Sequence, residues 1–209
     1  EETGLLPHVN PGLLTADDLT ALRKVSISQG MMLESSSPRL AQRGGPHFGS
    51  PDKEPVARLA SIQMAGEQRV PFTTGILVGI GESRADQLSA LEAIAASHRR
   101  HGHVPEVIVQ NFLPKLRTAM QGVRACPSDD YLWAVAAARV ILPADIHLQA
   151  PPNLSDDFGV LLDAGIDDWG GVSPVTVDHV NPERPWPDLE RLAEVTAERG
   201  FVVAPRLTI

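Results

Sequence analysis

"TTGILVGIGES", residues 73–83, is an apolar run interrupted by three glycines and closed by an acid. Its middle, GILVGI, is continuously apolar rather than alternating, which is the pattern of a strand buried on both faces. Such strands belong to parallel sheets covered by helices. EVIVQNF, residues 106–112, reads the same way. Outward from these two runs, strand-like and helix-like segments alternate. GLLPHV (4–9) is short and apolar, and Asn10, Pro11 and Gly12 stop it. Thr15 caps a helix with early acids and late bases, ADDLTALRK (16–24). VSISQGMMLE (25–34) is strand-like, and PVARLASIQMAGEQ (55–68) has helical spacing at Val56, Leu59, Ala60 and Gln63. A helix is expected from about residue 85 to 100, and another from Asp129 and Asp130 through Arg139. DIHLQA (145–150) is a strand, SDDFGVLLDAG (155–165) a capped short helix and DDWGGVS (167–173) a strand end. DLERLAEVTAERG (188–200) is the last long helix, and FVVAPRL (201–207) reads as a final strand.

These are about six strand–helix units, and strict alternation means parallel strands joined by crossover helices. A closed barrel needs eight such units and roughly 250 residues. The chain is therefore expected to be one domain over residues 1–209, a partial α/β barrel whose first two units are missing. EETGLLPHVNPG (1–12) reads as the end of a helix running into a strand, which agrees with a front part lying upstream. An open doubly wound sheet is the competing architecture.

With 209 residues, 43% of them apolar, the chain can bury one sizeable core. A net charge of −8 repels phosphate backbones, so nucleic acid is not an expected partner. The single cysteine, Cys126, excludes an internal disulfide framework and suits a reducing cytoplasm. No apolar run approaches the roughly 20 residues of a membrane span, and no basic-then-apolar leader opens the chain.

In parallel barrels and sheets, ligands bind beyond the carboxyl ends of the strands. The residues there are unusually polar: Gln29 to Glu34, Glu82, Gln110 and Asn111, Gln149 and Asn153, and Asp168 with Ser173. A shared ligand site explains this recurrence better than incidental strand-end polarity. Other signals have plainer readings. His98, His101 and His103 end a helix, where basic groups suit the dipole better than a metal would explain them. GGPHFGSPDKEP (44–55) lacks a phosphate-binding pattern between strand and helix, and reads as a long loop over the barrel mouth. Cys126 is a packed or surface thiol, Trp133 packs on its helix, and Trp169 and Trp186 flank the barrel end.

Gly75, Leu77, Gly79 and Glu82 fit the pattern GxIxGxxE, with Leu in the Ile place. Glycine in a strand is kept where something approaches the backbone closely. Glu82 disfavours an anion here, and a flat neutral ring such as adenine fits better. On this reading Gly79 matters for its missing side chain, and Gly79→Val is expected to leave a folded protein.

Several longer segments occur together and in order: residues 8–37, 44–55, 71–82 and 106–112, then QAPPNL (149–154) and GIDDWGGVSPVTVDHVNPERPWP (165–187). In these the chain closely resembles the FO synthase family, in the half or subunit that performs the final ring closure. The resemblance implies a radical S-adenosylmethionine barrel and a 4Fe–4S cluster held by a CxxxCxxC loop. It implies an ammonia-lyase type of activity in coenzyme F420 biosynthesis. A tyrosine-derived adduct of 5-amino-6-ribitylaminouracil would be closed to 7,8-didemethyl-8-hydroxy-5-deazariboflavin. The cofactor-binding candidates are Glu34, matching an acid that contacts the ribose, Gly75, Leu77 and Gly79 against the adenine, and Glu82 and Asn111. Loss of Glu34 is expected to weaken cofactor binding and spare the fold. The substrate-binding candidates are Gln29, Gln110, Gln149, Asn153 and Asp168, and no catalytic residue is assigned. The implied partners are the small-molecule substrate and the other synthase subunit or fused half.

Two features depart from the family. There is no CxxxCxxC, so the cluster cysteines are expected upstream and this chain alone is expected to be inactive. Leu116 also stands where a proline is expected after the lysine in NFLPKLRTAM. A biotin-synthase-like radical barrel and a non-catalytic barrel remnant that binds a nucleoside or partner are the alternatives. The string DDWGGVSP argues against the former.

Overall fold

Five parallel strands lie side by side in chain order in the computed structural model, which describes residues 4–173 and 175–209. They are β1 (His8–Val9), β2 (Ser28–Gly30), β3 (Phe72–Val78), β4 (Glu106–Asn111) and β5 (His147–Gln149). Helices α1 (Ala16–Leu22), α2 (Pro55–Glu67), α3 (Arg84–His101) and α4 (Ser128–Ile141) each follow the correspondingly numbered strand. The short α5 (Val160–Asp163) and α6 (Leu189–Glu198) complete the chain. A doubly wound sheet reverses its strand order at a switch point. The order here never reverses, so the winding is that of a barrel wall.

Isolated bridges extend this wall. Glu34 pairs with Ile76 beyond the end of β2, and Asp168 pairs with Gln149 at a sixth strand position. Two strand expectations are shortened. The run 25–34 is a continuous strand only over Ser28–Gly30; past it the pairing with β3 slips, Met31 N–H donating to the Thr73 carbonyl and Glu34 N–H, at φ +62°, to the Gly75 carbonyl. Residues 201–207 form no strand. Side chains tie this segment to the wall instead: Arg206 engages Glu106 and Asp168, and Thr208 Oγ1 lies 2.6 Å from Ser28 Oγ. The helix end read into the first residues falls on 1–3, outside the described residues.

Helix boundaries follow local chemistry. Ser83 and Asp86 form a reciprocal capping box at the start of α3, and Gly102, at φ +63°, ends it. Among the described residues no helix is long and apolar enough to cross a membrane.

Strand parity positions the site. Phe72, Ile76, Val78, Val107, Val109 and Leu148 face the helices and are at most 1% exposed. They join Leu91 and Ile94 of α3 and Ala134, Val135 and Ala138 of α4 in one core. The alternate residues, on the inner face of the wall, are different: Ser28, Gly30, Thr73, Gly75, Glu106, Gln110 and Gln149 are small or polar, with Leu77 and Ile108 the apolar members. Barrel interiors are ordinarily filled by branched apolar layers. This inner face is built to meet something polar.

Candidate functional site

Glu34 lies beyond the carboxyl end of β2, bridged to Ile76 of β3. Its N–H donates to the Gly75 carbonyl at 3.0 Å and its carbonyl accepts from Leu77 N–H at 2.9 Å, which fixes it against β3. Two cations and a histidine converge on its carboxylate. Arg58 Nη1 donates to Oε1 at 2.8 Å, Lys53 Nζ donates at 3.0 and 3.2 Å, and His47 Nε2 lies 2.8 Å from Oε2. Burial alone would raise the Glu34 pKa, but the His47 hydrogen bond and the Arg58 and Lys53 charges outweigh it and bring it down to about 2. Arg58 is itself pinned, donating to the carbonyls of Met32 and Asp52 at 2.7 and 2.8 Å. The loop expected over the barrel mouth thus folds back to deliver His47 and Lys53.

Arg58, His47 and Lys53 are site residues that the sequence reading does not single out. One signal was available for Arg58: it shares an otherwise small or apolar helix face with Pro55, Ile62 and Ala65.

The glycines of the 73–83 stretch are required by protein rather than by open space. A Cβ at Gly75 would lie 2.0 Å from the Ile108 carbonyl oxygen and 2.9 Å from Met32 Cε. Gly79 lies just past the end of β3 with φ +97°, and its Cβ would lie 2.7 Å from Cys126 Cβ. Its positive φ corrects the expectation that only the missing side chain matters there. Glu82 turns back on its own loop. It accepts from Gly79 N–H at 2.8 Å, Ile80 N–H at 2.9 Å and Gln87 Nε2 at 2.7 Å, so it shapes the turn.

The remaining candidates divide by parity. Leu77, Gln110, Gln149 and Asp168 share the inner face, whereas Glu34 is bridged to Ile76 at the strand ends. Gln29 and Asn111 do not share it. Gln29 donates to the Leu19 carbonyl of α1 at 3.1 Å, and Asn111 donates to the Leu154 carbonyl at 2.9 Å. Asn111 lines a cleft of about 490 Å³ on the helix side, with Tyr131, Leu132 and Leu161. Asn153 ties its turn to the following loop, donating to Asp178 Oδ2 at 2.9 Å and to the Arg184 carbonyl at 3.0 Å. Trp169 packs away from the inner face, its indole N–H 3.0 Å from Thr196 Oγ1 and its ring edge-on to Phe158.

A cluster finds no ligands in these residues. Burial, with Glu82 and Asp130 nearby, pushes the Cys126 thiol up to about 12, and one thiol cannot replace three. Among the described residues no group of three or more His, Cys, Asp or Glu side chains is arranged to hold a metal ion. The three histidines at the end of α3 and just past it have separate partners: His98 meets Asp145 at 3.1 Å, His101 meets Gln63 at 2.6 Å and His103 meets the Ile62 carbonyl at 2.9 Å.

Burial lowers His103 to about 4, so the folded state keeps this ring neutral. An ordinary histidine takes up its proton near pH 6.5. Between about pH 6.5 and 4 the unfolded chain therefore binds the extra proton, and stability falls as pH drops through that window. His103→Leu should flatten the dependence of the urea midpoint on pH between those limits. An unchanged slope would contradict the assignment.

Comparison with known proteins places the chain. No protein-family model matches it. It is 52% identical over 211 residues to FO synthase of Mycobacterium tuberculosis, covering 100% of this chain and 25% of that protein. It is 50% identical over 210 residues to the 7,8-didemethyl-8-hydroxy-5-deazariboflavin synthase of Methanopyrus kandleri, covering 63% of it. The chain thus spans about a quarter of the length of the mycobacterial relative. Among solved structures, methylornithine synthase (PylB) superposes with a TM-score of 0.74 at 18% identity, over 97% of this chain and 60% of that one. The FeFe-hydrogenase maturase HydG of Carboxydothermus hydrogenoformans does so with 0.66 at 20%, over 93% and 47%. These likenesses concern the fold, and with the consecutive parallel strands they make it a partial α/β barrel.

Proposed function

We propose that this chain, a relative of the FO synthases along its whole length, is the part of a radical S-adenosylmethionine enzyme that lines the cofactor and substrate space. The observation that carries this reading is Glu34, just beyond the carboxyl end of its strand and kept anionic by Arg58, Lys53 and its hydrogen bond to His47. The donor set suits S-adenosylmethionine. A carboxylate accepts from a ribose diol, and adjacent cations suit the cofactor's own carboxylate. Lys53, 36% exposed, is the cation able to move off Glu34 and free its acceptor positions, while Arg58 and His47 stay buried. Leu77, between Gly75 of β3 and Gly79 just past its end, offers an apolar inner wall for adenine. S-adenosylmethionine bound there would supply the carbon radical that abstracts hydrogen from the substrate.

The proposed reaction is closure of the tyrosine-derived 5-amino-6-ribitylaminouracil adduct to the deazaflavin FO, with loss of ammonia. The proposed partner is the other synthase subunit or half. A cytoplasmic setting suits the lone free thiol. The residues of this chain do not fit the 4Fe–4S cluster, and no step is assigned to one here.

The test is a chimera in which this chain replaces the matching stretch of the mycobacterial FO synthase. Anaerobic assays should show FO by its fluorescence, whereas the 209-residue chain alone should form none and retain no stoichiometric cluster after iron and sulfide reconstitution. A folded, cluster-loaded chimera that makes no FO would overturn the proposal.

A further inference from the structure

An ionised carboxylate offers about four lone-pair positions on its two oxygens, and Glu34 has all of them engaged. Oε1 accepts from Arg58 Nη1 at 2.8 Å and from Lys53 Nζ at 3.0 Å. Oε2 accepts from Lys53 Nζ at 3.2 Å and meets His47 Nε2 at 2.8 Å. In this arrangement the acid has no position left for a ribose diol. A partner has to leave before a ribose can enter.

Two of the partners are built in. The Arg58 side chain is 7% exposed and is also bonded to the Met32 and Asp52 carbonyls. His47 is 4% exposed, and its backbone N–H donates to the Leu40 carbonyl at 3.0 Å. Lys53 is different. Its side chain is 36% exposed, and its ammonium has no other partner among the described residues. A flexible four-carbon stem lets the charged head swing while the backbone stays in place. Because Lys53 bridges both oxygens, its departure vacates one position on each. A vicinal diol, with two O–H donors side by side, is the complement of that pair.

The fate of the displaced ammonium then depends on the ligand. A ligand with a carboxylate of its own gives the charge a new partner. A nucleoside without one leaves it to water, and the lost ion pair weakens binding.

We propose that Lys53 is a latch on Glu34 that sets the class of ligand admitted there, yielding to S-adenosylmethionine, whose carboxylate engages it anew, and disfavouring nucleosides that lack a carboxylate. This rests on the reading of Glu34 as a ribose acceptor and deepens it, because it names the residue that separates the intact cofactor from its nucleoside part.

The probes are S-adenosylmethionine and 5′-methylthioadenosine, an uncharged nucleoside with the same ribose and adenine. Calorimetry on the cluster-loaded chimera, without reductant, should show 5′-methylthioadenosine binding about three- to tenfold more tightly to Lys53→Met than to the parent. S-adenosylmethionine should change by less than about twofold, since the latch and its new partner are lost together. Lys53→Gln should behave alike, and circular dichroism establishes that each variant is folded. A second readout follows the ammonium itself. Acylation of Lys53 in the parent, read by mass spectrometry, should quicken when 5′-methylthioadenosine binds and stay slow with S-adenosylmethionine. Unchanged or weaker binding of the nucleoside by the folded variants, an equal shift for both ligands, or labelling that the two ligands alter alike would each overturn the latch. A cluster-loaded parent chimera that binds neither ligand overturns the functional reading beneath it. One that binds both, with affinities that Lys53→Met leaves alone, overturns the latch only.

Discussion

Glu34→Ala should destabilise the protein by about 3–5 kcal/mol, the range for removing one partner of a buried ion pair. The sequence suggests a strand-end acid whose loss would spare the fold. The structure shows a carboxylate that neutralises Arg58 and hydrogen-bonds His47, whose side chains are only 7% and 4% exposed. Without it, Arg58 keeps its two carbonyl acceptors but loses its counter-charge. The loss depends on pH with a definite sign. Glu34 is depressed from 4.5 to about 2, so its contribution is fully present above about pH 4.5 and is lost as pH falls toward 2. Urea midpoints for the parent, Glu34→Gln and Glu34→Ala should fall in that order at pH 7. The difference between the parent and Glu34→Ala should shrink below pH 4. Equal midpoints at pH 7 would show that Arg58, Lys53 and His47 do not depend on this acid. The consequence for function is practical: cofactor affinity in Glu34→Ala has to be read per folded molecule.

The winding of the fold was legible because helices and parallel strands leave different marks. GILVGI and EVIVQNF are too short and too uniformly apolar for surface helices, and capping residues such as Ser83 and Asp86 stand where the helices begin. What the apolar runs conceal is parity. When both faces of a strand are buried, nothing in its local pattern tells inner from outer positions. Gln29 and Gln110 look alike as polar residues near strand ends, yet one serves α1 and the other shares the inner face with Gln149. The partners of the carboxylates were hidden for another reason. Arg58 lies 24 residues from Glu34 and Arg206 lies 100 from Glu106, separations at which sequence carries no pairing signal. Glu82 shows the converse. It belongs to a recognisable pattern, but its acceptors are spent on the backbone of its own turn.

Gly79→Val tests that turn and should cost about 2–6 kcal/mol, the sum of backbone strain and overpacking. Valine suits a buried strand, and a purely extended Gly79 would accept it. At φ +97° it meets a conformation that β-branched residues avoid, and its Cβ falls 2.7 Å from Cys126 Cβ and 3.0 Å from Cys126 Cα. The two contributions can be separated. Cys126→Gly removes the Cβ and Sγ atoms but leaves the dihedral demand of the turn. A double-mutant cycle of Gly79→Val with Cys126→Gly should therefore recover the contact part of the loss and not the rest. Gly79→Ala should fall between, because it meets the same Cβ contact without the branched methyls. The turn also carries the Gly79 and Ile80 N–H groups that Glu82 accepts, so displacing it leaves a carboxylate and two backbone donors to find new partners. Cofactor cleavage in the chimera should then decline with the folded fraction, while each molecule that remains folded keeps its activity. If Gly79→Val instead melts with the parent and has lost cleavage, the glycine is holding space for a ligand, and the turn itself tolerates a side chain.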